Sequence, residues 1–193
     1  LFAGNPAAWT LTCEFFFYSF HPFVQQVLKR MTLRRTLVAG VVVVAVALSY
    51  RASAWALEGT WWSALPVPIE RAPEFLLGMC IAWAFRQGWR PKVPVALAIA
   101  IMAVVVGVIA VVPIVFPGTF IGSITALFGN ELFTVACALA IIAVATSGLA
   151  GRRSIFGDRI QVKLGEWSFA FYLVHATVIY LALRFIEPLA PSW

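Results

Sequence analysis

The first apolar segment of the chain carries polar side chains of a kind that is rare inside membranes. In the stretch WTLTCEFFFYSFHPF, an acid, a tyrosine and a histidine lie among aromatic residues. If the segment is helical, i, i+4 and i+7 spacing places a polar stripe on one face: Thr10, Glu14, Tyr18, His21 and Gln25. A charged side chain at the bilayer centre costs about 2.5–3.5 kcal/mol on insertion scales, so such residues usually face a bundle interior or a wet cavity. The stripe therefore indicates a lined site.

Glu14 and His175 are the candidates for chemistry. We expect a carboxyl group followed by three phenylalanines to be desolvated, which disfavours its charged form and suits an acid or a base, unless a cation pairs with it. The alternative for Glu14 is a hydrogen-bonding node between helices. An intramembrane histidine is a functional hypothesis by default, and His175 shares a helix face with Tyr172. The alternative for His175 is a hydrogen bond that packs two helices together.

Charged residues elsewhere suggest further contacts. Arg71 and Glu74 are three residues apart at a helix start and can pair. The basic loop KRMTLRR, with Arg30, Arg34 and Arg35, could bind the phosphates of a cytosolic donor, or could serve topology and lipid headgroups. The three cysteines show no metal-ligand spacing, and no GxxxxGK[ST], HExxH, GxSxG or CxxC motif occurs. We expect no metal and no bound cofactor.

The composition is that of an integral membrane protein. Of 193 residues, 62% are hydrophobic and 11% charged, and the mean hydropathy is +0.93. The net charge of +6 does not indicate nucleic acid binding, because the basic residues lie in short loops between apolar runs. We expect an all-α, polytopic transmembrane helix bundle, a single membrane domain over residues 1–193. Its six candidate spans are Trp9–Leu28, Thr36–Tyr50, Pro73–Phe85, Val93–Phe116, Glu131–Leu149 and Trp167–Ile186.

The connectors between these spans alternate in charge. Eleven of the fourteen Lys and Arg residues lie in the connectors that follow the first, third and fifth spans. By the positive-inside rule these connectors are cytoplasmic, and the first span runs from outside to inside. The longest outer connector, residues 51–72, contains Trp55, Trp61 and Trp62. These tryptophans fit an interfacial belt or, alternatively, a sugar-stacking surface. Gly118 and Gly122 have GxxxG spacing but follow Pro117, so we expect them in a loop.

Three segments together resemble the acyltransferase 3 family of multi-span membrane O-acyltransferases. WTLTCEFFFYSFHPF is similar to the family's W-S-L-S-x-E-x-x-F-Y segment, RAPEFLLGM to its R-x-x-E-F-L-x-G segment, and LGEWSFAFYLVH to its L-G-x-x-S-Y-x-x-Y-L-x-H segment. They occur in the family's order across nearly the whole chain. The departures are mild: Phe169 replaces a tyrosine, and Thr10 and Thr12 replace serines.

The resemblance implies transfer of an acyl group, often acetyl, from acyl-CoA to a hydroxyl of a cell-surface carbohydrate, at the plasma (inner) membrane. For such an activity we expect Glu14 to form or support the catalytic site and His175, with Tyr172, to line it or hold its helices. A second group is expected to contact the substrate, and Arg30, Arg34 and Arg35 are candidates for contacting the CoA phosphates. That second group is Trp9, Tyr18, Arg71, Glu74 and Tyr172. The resemblance also implies a longer protein, with helices before Leu1 that carry the main catalytic histidine and one helix after Trp193. The expected partners are the lipid bilayer, acyl-CoA and a saccharide or glycolipid acceptor, and not nucleic acid.

Two other functions remain open on the residues alone. A transporter or flippase also carries lone acidic, basic and histidine residues in its spans, but predicts flux without chemical modification. A membrane scaffold without chemistry predicts that Glu14 and His175 can become apolar without loss of function.

Overall fold

The chain is a bundle of α-helices, as its composition predicts. A computed structural model describes residues 9–152 and 158–186. Within those two ranges there are seven α-helices, one 3-10 helix and no strand. They are α1 (Trp9–Lys29), α2 (Leu33–Ala56), the 3-10 helix (Trp61–Ala64), α3 (Val67–Glu70), α4 (Ala72–Arg86), α5 (Val95–Val115), α6 (Phe120–Leu149) and α7 (Arg159–Ile186).

Three helices are long and apolar enough to cross a membrane: α2, α5 and α6, with 24, 21 and 30 residues. The polar stripe lowers the hydropathy of α1, and charged residues lower that of α7. α4 has 15 residues and is therefore about 22 Å long. A bilayer's hydrocarbon core is about 30 Å thick. The expectation of six spans is thus supported for three helices, and α1, α4 and α7 do not meet the same criteria.

Two helices extend well beyond their predicted spans. α2 continues to Ala56, past Arg51, and α6 begins at Phe120, eleven residues before Glu131. Sequence reasoning ended both spans at charged residues, whereas these charges lie on helix faces that meet each other. The prediction that both glycines of the GxxxG pair lie in a loop is therefore correct for only one of them. Gly118 is in a turn with φ +72°, but Gly122 is in the first turn of α6.

Small residues line the helix contacts. α5 and α6 form an antiparallel hairpin, in which Gly129 lies close to Ile109: a Cβ built on that glycine would be 3.2 Å from the isoleucine. α2 packs on α4 where Gly40 meets Leu77 and Cys80. Small residues let membrane helices approach closely, since lipid supplies no hydrophobic force between them. Large apolar side chains point outward instead, with Phe15 76% and Phe120 79% exposed.

The basic linkers lie at one end of the bundle. Gln87, just after α4, donates from Nε2 to the hydroxyl of the fully buried Thr36 in the first turn of α2, at 3.0 Å. The linker between α4 and α5 also shares a cavity with the C-terminal end of α6. The grouping of basic connectors that the sequence predicts is therefore confirmed for the described residues. The opposite end carries the residues considered next.

Candidate functional site

Arg71, Glu74 and Asn130 form a closed triangle of hydrogen bonds. Arg71 Nη1 donates to Glu74 Oε1 at 2.7 Å and to Asn130 Oδ1 at 2.7 Å. Asn130 Nδ2 donates to the same Glu74 oxygen at 3.0 Å. Arg71 is the N-cap of α4, Glu74 is in the first turn of α4, and Asn130 is on α6. The predicted pairing of Arg71 with Glu74 is confirmed, and Asn130 fixes its orientation from a second helix.

A second cluster joins three elements beside the triangle. Arg51 on α2 donates from Nη2 to Glu70 Oε1 at 2.9 Å and from Nε to Glu131 Oε1 at 3.0 Å. The side chain of Glu131 is only 10% exposed, and its other oxygen, Oε2, is buried with no hydrogen-bond partner among the described residues. Together the two clusters contain two arginines and three glutamates. This end of the bundle therefore carries polar side chains that hold one another in fixed orientations. These side chains have one more formal negative charge than positive.

The triangle caps one end of a groove between α4 and α6. The groove has a volume of about 530 Å³. Apart from the triangle and Thr134, its walls are apolar and include Leu77, Gly78, Ile81, Ala82, Phe85, Phe133, Cys137, Ala138, Ile141 and Ala145. Typical small-molecule sites have volumes of about 300–1,000 Å³ and combine apolar walls with a few oriented polar groups, and this groove lies in that range. The groove can therefore bind a molecule with a polar head and an apolar chain.

α1 docks on α4 beside the triangle. The ring of Phe17 stacks on that of Phe75, with centroids 4.8 Å apart and planes 7° from parallel. Glu14 is half-buried on α1, and Tyr18 is 67% exposed. Among the side chains that the structure describes, no hydrogen bond joins Glu14 or Tyr18 to the triangle. Trp9 is the first residue of α1, and its side chain lies outside the described part.

His175 and Tyr172 lie together on α7. His175 Nδ1 is 2.5 Å from the carbonyl oxygen of Tyr172. A carbonyl oxygen only accepts, so a hydrogen bond at this contact requires a proton on Nδ1, in either protonation state of the ring. The ring is also stacked with Phe171 at 6.1 Å and lies 5.3 Å from the Tyr172 ring. This geometry confirms that the two residues share a face.

The remaining predicted residues lie at the other end of the bundle. Arg30, Arg34 and Arg35 are exposed, in or next to the linker between α1 and α2. None of them lines the groove. As for metals, the described residues contain no group of three His, Cys, Asp or Glu side chains that could hold an ion.

Comparison with known proteins identifies the family. A family model described as an acyltransferase domain matches residues 1–193. The chain belongs to the acyltransferase 3 family. It is also 35% identical over 193 residues to "Acyltransferase MdmB" from Streptomyces mycarofaciens, a match that covers 91% of this chain and 45% of that protein. The chain thus spans about half the length of this curated relative. No solved structure matches.

In this acyltransferase 3 chain, sequence reasoning found Arg71 and Glu74 but not their partners. Arg51, Glu70, Asn130 and Glu131 were not predicted as site residues. A signal for α6 was present, because GNEL interrupts a long apolar helix with two adjacent polar side chains. We interpreted that interruption as the end of a connector, whereas it is a polar face inside a helix.

Proposed function

We propose that the chain forms part of a membrane O-acyltransferase that moves an acyl group, acetyl in the simplest case, from acyl-CoA to a hydroxyl of a cell-surface carbohydrate. The family and the curated relative support acyl transfer as the class of chemistry. The observation that carries the proposal for this chain is the groove between α4 and α6, with its polar triangle and apolar walls. A thioester donor has a thin arm whose methylene and methyl groups can lie against apolar walls, and a sugar has hydroxyls that suit such a triangle.

The reaction is a displacement at a carbonyl carbon. The acceptor oxygen forms a bond to the thioester carbon, and the carbon–sulfur bond breaks. The hydroxyl proton passes to a base, and the CoA sulfur leaves as a thiolate that is then protonated. Arg71 and Asn130 supply N–H donors that could orient the acceptor or the developing oxyanion. Holding these groups on two helices reduces the reorganisation that the transition state requires.

Glu14, His175 and Tyr172 complete the proposed site. Glu14 forms or supports the site from α1, which packs on α4 through Phe17. His175 is proposed to accept a proton at Nε2, with Nδ1 oriented by the carbonyl oxygen of Tyr172. Trp9 and Tyr18 are proposed to contact the acceptor. The donor's phosphates are proposed to meet basic residues at the cytosolic end, with Arg30, Arg34 and Arg35 as the sequence-based candidates.

The test is label transfer by the full-length protein in membranes. Radiolabel from acetyl-CoA should appear on extractable surface glycans, and Glu14→Gln should reduce it at least tenfold, a loss of about 1.4 kcal/mol of transition-state stabilisation. Glu58→Gln is the matched control, because Glu58 is exposed in the loop after α2. It should transfer label as the wild type does.

Two results would contradict the proposal. Full label transfer by Glu14→Gln at equal expression would remove Glu14 from the mechanism. No transfer from acetyl-CoA or from longer acyl-CoAs would remove the activity itself and favour a transporter, which moves its substrate unmodified.

A further inference from the structure

A second cavity lies at the basic end of the bundle, where α5 begins and α6 ends. It has a volume of about 480 Å³ and is lined by the 90–95 linker and by the C-terminal end of α6. Three cationic side chains reach it from two loops that are far apart in sequence: Arg90, Lys92 and Arg152. None of the described residues that line it is acidic. We call this cavity the basic pocket. Its residues had no role in the sequence-based site.

The basic pocket is built with ordered groups. Arg90 Nη1 donates to the carbonyl oxygens of Phe85 at 2.6 Å and Trp89 at 2.7 Å, and its guanidinium lies 5.4 Å from the Phe85 ring. A guanidinium has five N–H donors, and Nη1 carries only two of them. Pro91 and Pro94 restrict the linker on either side of Lys92. The arginine is thus held in place at the pocket instead of extending freely towards a headgroup.

The N-terminal end of α5 and the C-terminal end of α6 have opposite effects on an anion in the pocket. Ala98 N donates to Pro94 O at 3.1 Å. The three preceding N–H groups of α5 therefore lack partners within the helix and favour an anion. The carbonyl end of α6 also lies there and disfavours an anion. Because these two effects oppose each other, the side-chain cations must supply most of any attraction.

The basic pocket and the groove follow one another along α6. The groove is lined from Asn130 to Ala145, and the pocket begins at Thr146. Phe85 joins them, because its side chain lines the groove while Arg90 contacts its ring and its carbonyl. The surface therefore runs from cations, through apolar walls, to the polar triangle. An acyl-CoA has the same order of chemistry, with phosphates at one end, a thin arm, and the reacting carbonyl at the other.

We infer that the basic pocket binds the nucleotide phosphates of the acyl donor, through Lys92, Arg152 and Arg90, so that the donor's arm lies along the groove between α4 and α6. This inference rests on the proposed function and assigns the donor's phosphate site to the linker between α4 and α5 and the end of α6. Anionic lipid headgroups offer the same phosphate chemistry, so the test separates these two sources.

The test measures equilibrium binding of CoA and of pantetheine, which lacks the nucleotide, to the full-length protein in phosphatidylcholine nanodiscs. Lys92→Gln/Arg152→Gln should weaken CoA binding about tenfold or more, since it removes two charge-assisted phosphate contacts. The affinity for pantetheine should change less than about twofold, because pantetheine has no nucleotide phosphates to lose contacts with. Lys92→Arg, which keeps the charge, should retain CoA binding. A structural defect would weaken both ligands alike and would overturn the inference.

The matched control removes two charges from another basic segment of the chain. Arg159→Gln/Lys163→Gln changes exposed residues in the first turns of α7, neither of which lines the basic pocket. It should leave the preference for CoA over pantetheine intact. If both double variants lose CoA binding equally, the inference is overturned, because CoA binding would then depend only on the net charge of the protein. A third variant changes Arg30, Arg34 and Arg35 to Gln. If only this variant loses CoA binding, the inference is overturned and the phosphates bind at the linker between α1 and α2.

A lipid arm and a transfer arm complete the test. If Lys92→Gln/Arg152→Gln keeps CoA binding but loses binding of phosphatidylglycerol, the pocket is a headgroup site and the inference fails. If the wild type transfers label from acetyl-CoA while the double variant keeps its CoA preference, the inference fails and the proposed function stands. If the wild type prefers CoA and the double variant loses that preference, but the wild type transfers no label, the pocket stands and the proposed function fails.

Discussion

At the scale of single residues, Asn130 matters because it is both a donor and an acceptor. Its Oδ1 accepts a hydrogen bond from Arg71 Nη1, and its Nδ2 donates one to Glu74 Oε1. Neither a carboxylate nor a hydroxyl with one proton supplies this pattern with the same geometry. Asn130 therefore sets the position of an ion pair that would otherwise move freely at a helix end, where such pairs contribute little.

Asn130→Leu should reduce stability by about 1–3 kcal/mol, because it leaves a partly buried Arg71 and Glu74 each with one partner fewer. Thermal unfolding of the full-length protein in detergent measures this. Ser123→Ala, at an exposed position on the same helix, should leave the midpoint unchanged. An unchanged midpoint in Asn130→Leu would show that the triangle contributes no stability.

The triangle also shows how far local reasoning reaches. The pairing of Arg71 with Glu74 follows from i, i+3 spacing and was predictable. Asn130 lies 56 residues beyond Glu74, and no local pattern specifies that contact. The same holds for Arg51, whose partner Glu131 is 80 residues away. The sequence alone showed that these polar residues were unusual but not which of them meet.

At the scale of elements, the turn between α5 and α6 determines how the hairpin closes. Thr119 caps α6 by accepting a hydrogen bond from Gly122 N at 3.2 Å. The chain folds back so tightly that a Cβ on Gly122 would clash with the carbonyl oxygen of Phe116. Gly118 precedes the cap with φ +72°, a conformation that side chains other than glycine rarely adopt.

Gly122→Ala should therefore destabilise the hairpin by about 1–3 kcal/mol, the usual cost of forcing a group into filled space. Gly107→Ala is the matched control, since nothing lies within 4 Å of a Cβ at that position on α5. Unfolding of both variants in detergent compares them directly. Equal stability of the two would mean that the turn relaxes without cost.

Element boundaries were harder to predict than element types. The apolar runs of α2, α5 and α6 identify helices, and all three are present. The predicted spans for α2 and α6 were ended at Arg51 and Glu131, because a lone charge in lipid is costly. Pairing removes that cost, so Arg51 and Glu131 lie well inside their helices. Where charges pair between helices, charge ceases to mark the end of a span.

At the scale of the whole molecule, the helix ends separate into a basic end and a polar-network end. The Thr36–Gln87 hydrogen bond and the basic pocket lie at the first, and the triangle with Arg51 lies at the second. The groove and the basic pocket together extend between them along α4 and α6. One molecule bound along this path would meet both ends.

A membrane-impermeant maleimide should distinguish the two ends in intact cells. Thr60→Cys, before the 3-10 helix, should react at once, and Thr32→Cys, before α2, should react only after permeabilisation. The positive-inside rule gives this orientation. Protein with only its native cysteines measures the background, which comes from the half-buried Cys137 more than from the buried Cys13 and Cys80. Labelling of both positions without permeabilisation would mean that α2 does not cross the membrane.

The short length of α4 has a consequence for the surrounding lipid. Fifteen residues leave about 8 Å of the hydrocarbon thickness unmatched. Such hydrophobic mismatch is relieved by local thinning of the bilayer or by headgroups that sink towards the helix end. At α4 that end carries Arg71 and Glu74. The outer aqueous phase would then dip towards the triangle, and the carbohydrate acceptor that we propose could reach it from outside while its ring stays hydrated.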